Sequence, residues 1–187
     1  VISSRWDPED VRGLIVRKAA WHGNLELVQT FLSTGNISTQ HRGWAFSSAF
    51  ERNHIEIAQA LLESGAIYTY EIDAAFTTAA KEGHLEMLKL IDSEFFFSKE
   101  AISSAFREAA ENGHLHILKY LLSKWTCSDE IRQSVFRCAA SRGHVEVVRV
   151  FLKEMPVSYN LACIALYDAA SYGRIDVVKY ILTQWDI

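Results

Sequence analysis

Residues 111 to 116 read Glu-Asn-Gly-His-Leu-His, and two imidazoles beside a glycine and a carboxylate are raw material for a metal site or for general acid–base chemistry. His54, His84 and His144 extend the pattern, since together with His114 they form one evenly spaced series. A metal needs its ligand nitrogens about 2 Å from a common centre, whereas residues repeated at a fixed interval in stacked units lie about one helix spacing apart and point the same way. The four histidines are therefore expected to stack without converging. His116, two residues beyond His114 on a helix, should point about 200° away from it, so that the pair cannot hold one ion from one face. Cys127, Cys138 and Cys163 are odd in number and show no C-x-x-C spacing, which fits small packed thiols of a reducing compartment better than disulfides or structural zinc. The chain has no G-x-G-x-x-G, phosphate loop, G-x-S-x-G or H-E-x-x-H. No catalytic residue, cofactor or metal is expected, and the chain does not read as an enzyme.

The interval between the histidines belongs to the whole chain. AAWHGNLELVQTFL from Ala19 returns as AFERNHIEIAQALL from Ala49, AAKEGHLEMLKLID from Ala79, AAENGHLHILKYLL from Ala109, AASRGHVEVVRVFL from Ala139 and AASYGRIDVVKYIL from Ala169, with no insertion between the copies. Each column has a physical task. Ala19, Ala49, Ala79, Ala109, Ala139 and Ala169 let two helices approach closely without loss of helix propensity. Gly23, Asn53, Gly83, Gly113, Gly143 and Gly173 are residues that accept a left-handed backbone just past a helix C-terminus. Apolar residues then recur at helical spacing, as in Leu115, Leu118, Leu121 and Leu122, so a second helix follows.

The first helix of each repeat has a legible start. Ser38, Ser98, Ser128 and Ser158 share a column with Tyr68, and serine is a preferred N-cap; helices near 39–52, 99–112, 129–142 and 159–172 follow. In the first repeat Asp7-Pro8-Glu9-Asp10 supplies a capping acid, a proline at the first helical position and another acid in the first turn. No period-two alternation bounded by turns is present, so no strand is expected. One pair of short helices cannot bury its own apolar face, and twelve helices in six pairs must stack as an all-α solenoid. The repeats run 8–37, 38–67, 68–97, 98–127, 128–157 and 158–187 within one domain. Val16, Phe46, Phe76, Phe106, Phe136 and Leu166 are the expected core column, and Ile37, Ile67, Phe97, Cys127, Val157 and Ile187 should pin the connecting loops. Trp125, Met155 and Trp185 share a column with Phe95, which suggests that later second helices run on over the core; an exposed contact patch at Phe95-Phe96-Phe97 is the alternative.

Nineteen basic against 23 acidic residues leave a net charge of −4, without the basic footprint of a nucleic-acid or anionic-membrane binder. No apolar run approaches the roughly 18–20 residues of a membrane span. Glu26, Glu56, Glu86, Glu146 and Asp176 form an acidic outer row, three residues before Lys89, Arg149 or Lys179 in three repeats, and read as a solvated face of weak ion pairs. His116 interrupts that row.

The pattern A-A-x-x-G-H-x-E-(I/V/L)-(V/L)-K-x-L-L resembles the second half of an ankyrin repeat, and Ser64-Gly65-Ala66-Ile67 resembles the loop after that family's second helix. The likeness spans all six repeats. The interval is shorter than the family's usual period of about 33 residues. The family's T-P-L-H turn is also replaced, for example by Ala74-Ala75-Phe76-Thr77. The serine caps extend the first helix backward, and the family's β-hairpin is expected to be reduced or absent. The resemblance implies protein–protein recognition along a concave face built from first helices. On this chain the face falls on three columns at i, i+3 and i+7 that vary while the packing columns stay regular. With helices about 10 Å apart, six repeats would give a groove of about 50–60 Å, ample for an interface of about 800 Å² per partner. Trp44, Arg107, Arg137, Tyr167 and Tyr172 are the expected partner-binding residues, since Trp, Tyr and Arg dominate hot spots. Packing between repeats for Trp44 and Tyr167, and pairing of Arg107 and Arg137 with Glu108 and Glu111, are the competing expectations.

The sequence thus reads as a monomeric scaffold that binds another protein or peptide. It takes no nucleic acid and no membrane. Alternatively it is the targeting region of an enzyme whose catalytic domain lies elsewhere, or a spacer. The chain starts without Met and reads as part of a longer protein that continues after Ile187. A cytoplasmic location is expected; the bare helical repeat also resembles ankyrin-type proteins of amoebae, giant viruses and bacteria that live inside cells, and the last of these would place it in a host cytosol after secretion.

Overall fold

The computed structural model describes residues 8–34, 37–154 and 157–185. Those residues form twelve helices and no strand: α1 Pro8–His22, α2 Leu25–Ser33, α3 Thr39–Glu51, α4 Ile55–Glu63, α5 Thr69–Glu82, α6 Leu85–Asp92, α7 Lys99–Glu111, α8 Leu115–Lys124, α9 Asp129–Arg142, α10 Val145–Glu154, α11 Tyr159–Ser171 and α12 Ile175–Trp185. The starts follow from the caps. Ser38, Ser98, Ser128 and Ser158 each accept from the backbone N–H three residues on, at 3.1–3.3 Å. The ends of the first helices follow from the left-handed column, where φ lies between +59° at Asn53 and +89° at Gly143 in all six repeats. Asp7, the expected cap of α1, lies outside the described residues, as do Met155 and Ile187.

The chain divides into two compact bodies. An N-terminal body holds residues up to Ala79 with His84–Ala101, and a C-terminal body holds Ala80–Gly83 with residues from Ile102 onward. In the first, helix pairs stack α1 on α3, α2 on α4 and α4 on α6; in the second, α9 packs on α11 and α10 on α12. Phe46 and Phe76 are wholly buried in one body and Phe106 and Phe136 in the other, each worth about 1.5–3 kcal/mol in transfer free energy. Leu166, the last member of that column, is only half-buried, because no further pair covers α11 among the described residues. The loop-pinning column is met at Ile37, which is buried, and at Phe97, which stacks on Phe76 at 4.0 Å between ring centroids.

The second helices do not all run on as expected. α6 stops at Asp92 after eight residues and is the shortest helix described, so Phe96 stands fully exposed in the following loop. α8, α10 and α12 do extend, to Lys124, Glu154 and Trp185.

The N-terminal body also buries three polar side chains that the apolar core columns do not include, His41, Ser48 and Glu71. His41 and Glu71, on the first turns of α3 and α5, are buried to 6% and 4% exposure. Room for them comes from glycines one repeat earlier: a Cβ on Gly13 would run into the His41 ring, and one on Gly43 into the Glu71 carboxylate. The Ser38 hydroxyl lies 2.8 Å from His41 Nδ1, and Asp10 lies 3.7 Å from its Nε2. Glu71 Oε1 accepts from the Tyr70 hydroxyl at 3.5 Å, while buried Oε2 has no hydrogen-bond partner. Burial pushes the Glu71 carboxyl above its ordinary range, against the pull of the Tyr70 hydrogen bond.

Candidate functional site

The histidine column is a set of joints between repeats. His54 Nε2 donates to Trp21 O at 3.3 Å and His84 Nδ1 to Phe50 O at 3.0 Å within the N-terminal body. In the C-terminal body His114 Nε2 donates to Lys81 O at 2.9 Å and His144 Nε2 to Glu111 O at 2.7 Å. Each ring thereby donates to a carbonyl in the last turn of the preceding first helix, and that of Phe50 also accepts from Asn53 N–H. Arg174 takes the same place in the last repeat, with Nε 2.9 Å from Ser141 O. The left-handed glycines carry a second constraint here, because the His144 ring occupies the space a Cβ on Gly113 would fill.

His116 corrects the expected geometry. Its Nε2 donates to Gly83 O at 2.9 Å, and its ring lies 5.8 Å from that of His114, on the same side. The two rings would point apart only if both residues were helical, but His114 is the N-cap of α8 with φ −78° and ψ 74°, so helical spacing does not begin until the next residue. Burial lowers the His114 pKa, with the Lys81 hydrogen bond opposing it. Among the described residues no group of three or more His, Cys, Asp or Glu is placed to hold a metal.

The first-helix columns of the C-terminal body form two adjoining grooves. One, of about 510 Å³, is lined from α9 by Ser134, Arg137, Cys138 and Ser141 and closed by Asp168 and Tyr172. The other, of about 250 Å³, lies along α7 and α9 around Ser104, Arg107 and Ile131, and both share Glu130 and Ser134. Arg137 Nε donates to Asp168 Oδ2 at 2.8 Å, and this bond raises the guanidinium pKa. For Arg137 the partner is thus a carboxylate on the next first helix, and not Glu108 or Glu111 as in the competing expectation. Glu111 instead meets Arg142 at 3.6 Å and accepts from the Cys138 thiol at 3.8 Å. Burial, then the Glu111 charge, pushes that thiol up, away from nucleophilic use. Arg107 reaches Glu108 only at 4.0 Å and stays half-exposed.

Of the five expected contact residues, Arg107, Arg137 and Tyr172 line these grooves. Tyr167, next to Asp168 on α11, is 73% exposed and Tyr172 65%, so Tyr167 does not pack between repeats. Trp44 lies in the N-terminal body, 37% exposed, its ring edge-on to His41 at 5.1 Å between centroids. The family model described as ankyrin repeats, in three copies, matches residues 106–187. That stretch, the C-terminal part of the chain, is similar to ankyrin repeats. Ankyrin repeats are protein–protein interaction modules, and their helical fold is typically non-catalytic. No curated protein matches the chain. Among the described residues no helix is long and apolar enough to cross a membrane.

Proposed function

We propose that the chain is a scaffold that seats a partner protein or peptide along its first-helix face, with Arg107, Arg137, Tyr167 and Tyr172 as the main contacts of the C-terminal body and Trp44 as the contact of the N-terminal body. The observation that carries this reading is the pair of grooves on α7, α9 and α11, lined by two half-exposed arginines and Tyr172, with Tyr167 exposed on α11 next to Asp168. Large aromatic and guanidinium groups held open on a rigid scaffold are the groups that dominate hot spots. The six repeats act in this reading as one domain working in the cytosol, which suits its three free thiols.

Partner capture by the wild-type chain and by a Trp44→Ala, Arg107→Ala, Arg137→Ala variant tests it. Loss of hot-spot groups worth about 2 kcal/mol each should lower capture well over tenfold while helicity is unchanged. Equal capture by both would place the contact elsewhere.

A further inference from the structure

The N-terminal body has a polar cleft of about 400 Å³ at the C-terminal ends of α1 and α3. Trp21, Glu51, Arg52, His54 and His84 line it, so it spans three repeats. The cleft is held together by the joints: His54 donates to the Trp21 carbonyl and His84 to that of Phe50. Arg52 is held by stacking, its guanidinium carbon 4.7 Å from the centre of the Trp21 ring. A guanidinium over a ring face keeps its N–H edge free, and that edge matches a carboxylate in two-point geometry.

Arginine stands in this column twice, at Arg52 and Arg142, and the residue it meets from the preceding repeat decides its pairing. In the C-terminal body that residue is Glu111, whose Oε2 lies 3.6 Å from Arg142. In the N-terminal body the same position is Trp21, and Arg52 forms no ion pair among the described residues. Trp21 thus holds the cation in place without neutralising it. Glu51 lines the same cleft, so a ligand group carrying two negative charges would meet a carboxylate with its second one. That favours a carboxylate over a phosphoryl dianion.

We propose that this cleft seats one aspartate or glutamate side chain from an acidic segment of the partner, its carboxylate taking beside Arg52 the place that Glu111 takes beside Arg142. The origin of the segment rests on the scaffold reading above; Trp21 and Arg52 are the residues that read its charge. Arg52 gives up no ion pair to receive the carboxylate, whereas Arg142 would have to release Glu111. The indole already shields one face of the guanidinium from water, which strengthens the new pair.

Titration of the 187-residue chain with hexaglutamate blocked at both ends, followed at the Trp21 indole N–H and the Arg52 Nε–H resonances, tests this. Both resonances should shift and saturate, and the shifts should fade as salt rises toward about 1 M, where the Debye length is about 3 Å. Hexaglutamine should leave them unmoved. Arg52→Gln, at an exposed position, should weaken binding about tenfold or more, the loss expected of a hydrogen bond to a charged group. Trp21→Glu gives the N-terminal body the carboxylate that the C-terminal body has. It should weaken binding as much with helicity retained, since Glu51 and Glu111 already occupy that column. Arg142→Gln should bind like wild type. The proposal is overturned if no saturable shift occurs, if hexaglutamine reproduces it, or if inorganic phosphate binds more tightly than hexaglutamate. It is equally overturned if Arg52→Gln or Trp21→Glu binds like wild type, or if Arg142→Gln loses as much as Arg52→Gln. Partner capture lost in the Trp44→Ala, Arg107→Ala, Arg137→Ala variant beside a hexaglutamate that does not bind would remove this site and leave the scaffold reading standing; hexaglutamate bound while that variant captures normally would do the reverse.

Discussion

In the N-terminal body His41 and Glu71 stand in one column, on the first turns of α3 and α5, with Gly13 and Gly43 against them; in the C-terminal body that column holds Ile131 and Leu161, with Ser103 and Gln133 in place of the glycines. The same helix-pair geometry thus accepts a polar or an apolar filling, provided that the position one repeat earlier gives up the volume the filling takes. The fillings are not equivalent in energy. Ile131 and Leu161 ask only for apolar surroundings, whereas Glu71 keeps a buried oxygen without a partner, a group that typically costs about 1–3 kcal/mol when left unsatisfied.

The largest test of that contrast is steric. Gly43→Ala should destabilise the N-terminal body by about 1–3 kcal/mol, the ordinary range for overpacking, and Glu71→Ala in the same chain should restore most of the loss as a non-additive pair. Ser103→Ala, in the same column of the C-terminal body, should stay within about 0.5 kcal/mol of wild type in chemical denaturation. Equal losses at the two sites would break the comparison. Next in size are the joints. His144→Ala should cost about 1 kcal/mol, the net worth of one hydrogen bond, and His54→Ala less, since its bond to Trp21 is 3.3 Å against 2.7 Å for His144 to Glu111.

The two bodies should also answer acid in opposite senses. Glu71 has a folded pKa raised by burial, so the folded state holds its proton more tightly than the unfolded chain; its contribution falls as pH rises through the carboxylate range and recovers on acidification. Glu71→Gln should therefore raise the melting temperature at neutral pH and make little difference near about pH 4. His114 has a folded pKa lowered by burial, so its contribution is intact above the imidazole's ordinary value of about 6.5 and is lost as pH falls through and below it. His114→Gln should flatten that acid limb in the C-terminal body. The smallest effect concerns α6, which stops at Asp92 where the equivalent position in α8 is Leu122 and the helix continues to Lys124. Amide exchange should be faster over residues 86–97 than over the equivalent stretch after Leu115, and equal protection would remove α6 as a weak element.

The helices were legible because their boundaries are side-chain events. Serine caps and a left-handed glycine or asparagine sit in fixed columns, and a constant repeat length makes each column readable against its copies. The grooves were partly legible: Arg107, Arg137 and Tyr172 fell on them because variable first-helix columns mark an exposed stripe. The service of the histidines was not, since their partners are backbone carbonyls of the preceding repeat, and a carbonyl leaves no trace in residue identity. The filling of the N-terminal body did leave one. A glycine in the middle of α1 or α3, answered in the next first helix by His41 or Glu71, is a size complement across the stack, visible once helix register is known.

The histidine joints also specify where protons sit. A carbonyl can only accept, so His54, His114 and His144 must carry hydrogen on Nε2, whereas His84 must carry it on Nδ1. One column of chemically identical side chains is thereby written in two tautomers, and the nitrogen shifts of each ring give every joint between repeats its own spectroscopic address.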